Sequence, residues 1–65
     1  MSAKAIDSLL SNVKSGLGID KALEELKNIN ARSKDKQFSF NEIFTFDAAL
    51  GRYVYTVNGL NTALA

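Results

Sequence analysis

Two stretches in the N-terminal half of the chain repeat apolar residues with the period of an α-helix. In residues 3–17 the apolar positions follow at spacings of three, one, three and four residues: Ile6, Leu9, Leu10, Val13 and Leu17. This spacing puts them on one stripe of a 3.6-residue helix. The pattern predicts an amphipathic helix with Ser2 as its N-cap, ended by Gly16 and Gly18.

A second apolar stripe begins directly after this turn and predicts a second helix. Its members are Ile19, Ala22, Leu23, Leu26 and Ile29. Asp20 is positioned to cap this helix, near the positive end of its dipole. On the opposite face, Lys21 is spaced to pair with Glu25, and Glu24 is spaced to pair with Lys27. Because the connection is short, we expect the two helices to form an antiparallel hairpin or to cross as a helix-turn-helix.

The composition changes after a polar break at residues 33–37, and all the aromatic residues lie beyond that break. Residues 43–46 and 52–57 alternate aromatic, Thr and Val side chains with a period of two, which is typical of strands. The loop between them, 47–51, ends in glycine and suits a hairpin. We interpret the fold as α+β: a two-helix hairpin, then a β-hairpin, then a short C-terminal turn at 60–65 after a break at Asn58-Gly59.

The same region also carries a helical signal. Ser39-Phe-Asn-Glu42 has the spacing of a capping box, which marks the start of a helix. A helix continuing from it would align five apolar residues on one face: Ile43, Phe46, Leu50, Tyr53 and Val57. Residues 51–59 oppose this interpretation, because most of them lower helix propensity. The alternative to α+β is therefore an all-α chain of three to four short helices. A short helix at 39–46 beside a strand at 52–57 is a further arrangement.

The length of 65 residues predicts a single small domain covering 1–65. Hydrophobic residues make up 46% of the chain and charged residues 23%, as in ordinary globular proteins. Cysteine and histidine are both absent, which removes disulfides, thiolate ligands, the commonest metal ligand and the usual general base. We therefore expect a protein that is not an enzyme and uses no cofactor or metal.

A chain this small leaves part of its apolar surface uncovered. If one face of the hairpin covers the helices, the aromatic residues of the other face remain exposed, and large aromatic side chains dominate interface energies. We expect four of them to anchor a protein partner: Phe44, Phe46, Tyr53 and Tyr55. Leu10 and Leu26, in the middle of their stripes, are expected in the core. The function predicted is a non-enzymatic interaction or regulatory protein that forms a homodimer, either through the strand at 52–57 or through its helices.

The alternative function is a small nucleic-acid-binding module. Residues 27–36 carry one acid and four basic residues: Lys27, Arg32, Lys34 and Lys36. These side chains suit phosphate contacts, and aromatic residues alternating with polar ones suit base stacking. Against this, Glu24 and Glu25 share the exposed face of the second helix and would repel phosphates. The net charge of the chain, +1, is also too small to indicate nucleic acid.

No membrane association is expected, because no run of apolar residues approaches the length of a spanning helix. Asp7, Ser8 and Ser11 interrupt the apolar residues near the N-terminus, so no secretory signal is predicted. Together with the lack of cysteine, this favours a cytoplasmic location.

Overall fold

The computed structural model describes residues 3–65 and has an α+β fold. Helices at the N-terminus precede a two-stranded antiparallel sheet, which confirms the predicted fold class. The elements in chain order are α1 (Ala3–Ser15), α2 (Ile19–Arg32), α3 (Phe40–Ile43), β1 (Phe44–Asp47), β2 (Arg52–Tyr55) and α4 (Val57–Leu64). Among the described residues, no helix has the length and apolar character needed to cross a membrane. The prediction that Ser2 caps α1 lies outside the described residues.

The connection between α1 and α2 is built on Gly16. Its φ is +73°, and its N–H donates to the carbonyl oxygen of Asn12 at 2.8 Å. Glycine adopts this left-handed conformation without the steric cost that other residues incur, so it ends α1 two residues earlier than the apolar stripe suggested. Asp20 is not the N-cap of α2. Gly18 occupies that position, and Asp20 lies in the first turn.

The predicted β-hairpin is present. Phe44 pairs with Tyr55 and Phe46 with Tyr53 across the two strands. In the turn, the Asp47 carboxylate accepts hydrogen bonds from the backbone N–H groups of Ala49 and Leu50 at 2.9 and 3.1 Å. This is the local bonding that favours aspartate at the first position of a turn.

The capping box is also present, so the two interpretations of this region are both partly correct. The Ser39 backbone N–H donates to the Glu42 carboxylate at 3.4 Å, as the box requires. The helix that it starts, α3, has only four residues, and the next residue, Phe44, is already in β1. The all-α alternative is therefore wrong: a single helical turn leads directly into the strand.

The C-terminal helix is longer than the sequence indicated. Residues 52–57 were predicted as one strand, but β2 ends at Tyr55 and α4 begins at Val57. Thr56 is the N-cap, and its side-chain oxygen accepts a hydrogen bond from the N–H of Gly59 at 2.9 Å. Gly59 therefore lies inside the helix, and the predicted break at this residue is wrong.

The core lies between α2, the hairpin and the two short helices, and α1 contributes Leu9 to it. Tyr53 links it to the N-terminal turn, because its backbone N–H and C=O exchange hydrogen bonds of 2.8 Å with those of Leu17. Leu10 was predicted in the core but is 49% exposed, since its neighbour Leu9 points inward instead. Leu26 is partly buried against the core. The buried apolar residues are Leu9, Leu17, Ala22, Ile29, Ile43, Phe44 and Ala63.

Candidate interaction surface

The four aromatic residues chosen as partner anchors lie on one face of the hairpin. Residues paired across antiparallel strands project to the same side, so the pairs Phe44–Tyr55 and Phe46–Tyr53 share a face. Their ring centroids are 4.8 Å and 5.3 Å apart, respectively. The sequence therefore grouped these residues correctly.

The exposure of this face differs from the prediction. Phe44 is only 1% exposed and belongs to the core, so it is not an exposed anchor. Phe40 of α3 covers the same face, with its ring 5.3 Å from that of Phe44 and 5.1 Å from that of Tyr53. Tyr53 and Tyr55 are half-buried, whereas Phe46 remains 55% exposed. The aromatic face turns inward to form core, and only its end at Phe46 is open.

The hydroxyl group of Tyr55 has an unusual environment. It is buried, and no hydrogen-bond partner for it exists within residues 3–65. Burial raises the pKa of Tyr55 to about 12, the charge of Glu25 adds to this effect, and Arg32 opposes it. The neutral phenol is therefore strongly preferred, and the side chain acts here as a packing group.

Four exposed apolar side chains lie on the two elements that are joined at the N-terminal turn, α2 and the hairpin. Phe46 contacts Tyr53, whose backbone pairs with Leu17 in that turn. Leu50 lies close to Gly16 of the same turn: a Cβ atom placed on Gly16 would be 3.7 Å from the Leu50 side chain. Each of these exposed residues is about half accessible. We call them the turn-end surface: Ile19, Leu23, Phe46 and Leu50.

Sequence analysis assigned Ile19 and Leu23 to the buried stripe of α2 and so missed their exposure. The buried side of this helix is centred on Ala22 and Ile29. At 100° per residue, Leu23 lies about 100° around the helix from Ala22. The apolar residues of α2 span a wider arc of the helix than one neighbouring layer can cover. This width is the sequence signal that indicates a second contact face.

The charged side chains of α2 do not pair as predicted. No ion pair joins Lys21 to Glu25 or Glu24 to Lys27, and the ion pair found in the described part of the chain is Lys36 with Glu42, at 3.0 Å. Lys36 bonding to Glu42 also lowers the pKa of that carboxyl group. Lys27 is therefore exposed and has no ion-pair partner within residues 3–65.

The basic residues 27–36 do not form a uniform phosphate-binding patch. Lys27, Arg32 and Lys34 are exposed. Lys36 is bound to Glu42, and its ammonium group lies 5.1 Å from the centre of the Phe38 ring. One of the four basic side chains is thus paired with a carboxylate, and the nucleic-acid alternative stays a prediction.

A groove of about 280 Å³ separates α1 from α2. Leu9 and Ala63 lie in it, and Glu25 and Arg32 contribute charged groups from α2. Across residues 3–65, no three acidic side chains come together as ligands for a metal ion. The charged groups that the groove offers to a ligand are thus one carboxylate and one guanidinium group. Its shape does not identify the ligand.

Comparison with models of protein families, with curated proteins and with solved structures found no match to this chain.

Proposed function

We propose that this chain is a small non-enzymatic interaction protein that binds a protein partner through the turn-end surface. The observation that carries the proposal is that four large apolar side chains, on α2 and on the hairpin that is bonded to the turn before α2, are each about half exposed. Exposing such residues together is unfavourable in water, and their burial by a partner would return that free energy. Phe46 is the aromatic anchor of this surface.

The aromatic anchor of the surface, Phe46, is held in place before any partner binds. Phe46 is held by its strand pairing and by the edge-to-face contact with Tyr53 at 5.3 Å. The backbone of Tyr53 is in turn bonded to Leu17, two residues before α2 begins. Binding a partner therefore costs little free energy for ordering Phe46.

The non-enzymatic part of the proposal rests on the sequence, which contains neither histidine nor cysteine. A cytoplasmic location is proposed on the same basis, since the chain has no cysteine for disulfide bonds.

Site-specific photo-crosslinking in the cells that make the protein tests this proposal. A photoreactive amino acid would replace Phe46, and the control would replace Thr45, the neighbouring exposed residue on the opposite face of β1. We expect a discrete crosslinked protein product from position 46 and little from position 45. Equal yields at the two positions would show that the turn-end surface binds no protein selectively.

A further inference from the structure

The exposed side of α2 has apolar and charged residues in a self-complementary order. Ile19 and Leu23, four residues apart, form its apolar part. Leu26 follows at the four–three spacing of a helix-pairing seam and borders this part, because it is partly buried against the core. Asp20 and Lys27 lie on the outer edge of that seam, seven residues apart, so they share one side of the helix. Both are exposed.

Neither charge is used within the described chain. The ion pair present in residues 3–65 involves Lys36 and Glu42, and no hydrogen bond of the Asp20 or Lys27 side chain is formed there. An acid and a base on one exposed edge of an apolar seam are thus both available to a partner.

We propose that the partner is a second copy of the chain. The exposed sides of the two α2 helices pack against each other, and the helices run antiparallel. The midpoint between positions 20 and 27 lies between Leu23 and Glu24. A two-fold axis there brings Asp20 of each copy opposite Lys27 of the other, with the two Leu23 side chains meeting at the centre. Both cross-pairs are attractive, and the antiparallel arrangement also sets opposite helix dipoles side by side.

β2 is less accessible for dimerisation than α2 is. At Tyr53, β2 is paired with β1 on one edge and with Leu17 on the other. The backbone groups that would extend the sheet to a second copy are therefore already bonded there. On the exposed side of α2, by contrast, the Ile19 and Leu23 side chains are about half accessible.

Charge reversal with the full chain tests the dimer. Sedimentation at low salt would measure self-association of Asp20→Lys and Lys27→Asp. We expect each to raise the dimer dissociation constant about tenfold or more, because two attractive contacts become repulsive. An equimolar mixture of the two variants restores association, since each reversed charge then faces its opposite. The double variant D20K/K27D restores it as well.

Matched controls separate this effect from net charge. Asp35→Lys and Lys34→Asp make the same changes of charge in the exposed loop after α2, and they should leave association unchanged. Circular dichroism would verify that all variants keep their helices. A wild-type chain that stays monomeric at about 1 mM, or variants whose mixture fails to recover, would overturn the dimer.

The dimer rests on the proposed function, and the two can fail separately. If the wild-type chain is monomeric but position 46 crosslinks to a different protein, the inference is wrong and the proposed function is supported. If the chain is monomeric and positions 46 and 45 crosslink equally, both are wrong.

Discussion

Gly59 lies directly against the backbone carbonyl of Ile43. A Cβ atom on Gly59 would be only 2.1 Å from the carbonyl oxygen of Ile43, so any larger residue would force α4 away from the end of α3. The same junction is held by Thr56, whose backbone N–H donates to the same oxygen at 2.9 Å. A glycine inside a helix costs stability, and here the cost is offset by the close approach of the two elements.

Gly59→Ala should therefore destabilise the fold, although alanine favours helix more than glycine does. We expect the free energy of unfolding to fall by about 2 kcal/mol or more, because the clash is with backbone and cannot be relieved by a rotamer change. Gly18→Ala is the control, since its Cβ would lie 3.8 Å from the nearest atom. We expect a smaller loss there, because alanine only replaces glycine as the N-cap of α2. Chemical denaturation of both variants measures the difference, and equal losses would contradict the contact.

Phe44 and Phe46 lie two residues apart in one strand and should respond differently to truncation. Phe44 is 1% exposed and Phe46 is 55% exposed. Phe44→Ala should cost about 3–5 kcal/mol, which is enough to unfold a small domain. Phe46→Ala should cost only about 1 kcal/mol, chiefly its contact with the Tyr53 ring. Thermal unfolding of both variants checks this, and similar melting temperatures would show that the hairpin face is one continuous core.

Leu9 and Leu10 form a second matched pair, in α1. Leu9→Ala should cost about 2–5 kcal/mol, because this side chain is buried against the core. Leu10→Ala should change stability by about 0.5 kcal/mol or less, because this side chain is half exposed and alanine is a good helix former. Urea unfolding midpoints compare the two. A larger loss for Leu10 would mean that α1 is rotated relative to the structure.

Tyr55→Phe should stabilise the protein at neutral pH. The substitution removes a buried hydroxyl group without a hydrogen-bond partner in residues 3–65 and keeps the ring contact with Phe44. Removing an unsatisfied polar group is expected to raise the free energy of unfolding by about 1 kcal/mol. Equilibrium denaturation measures the gain, and a loss of stability would indicate that the hydroxyl group has a partner.

The same tyrosine should weaken the fold in alkaline solution. Its folded pKa is about 12, above the value of 10.0 for an ordinary tyrosine. Below about pH 10 both the folded and the unfolded chain keep this proton, so stability does not depend on pH through Tyr55. As the pH rises toward 12 the free energy of unfolding falls, because the unfolded chain releases the proton first. Tyr55→Phe should flatten this decline. Parallel stability profiles of the two proteins from pH 9 to 12 would contradict the raised pKa.

The sequence by itself determined most local structure. The period of the apolar residues predicted α1 and α2, and the alternation of aromatic, Thr and Val residues predicted the two strands. The spacing of Ser39 and Glu42 predicted the start of α3. Each of these signals is local, because the residues that carry it are neighbours in the element they form. For the same reason the sequence placed Phe46 and Tyr53 on one face of the hairpin.

Which faces became core was decided only by the tertiary structure. Phe44 and Phe46 have the same type and the same strand face, yet one is buried by Phe40 and the other extends past it. Gly59 is a helix breaker by propensity, but its position against Ile43 makes it a packing residue inside α4. The exposure of a side chain and the close approach of two backbones depend on elements that are distant in the sequence. A local sequence pattern does not specify which distant element packs against a given face.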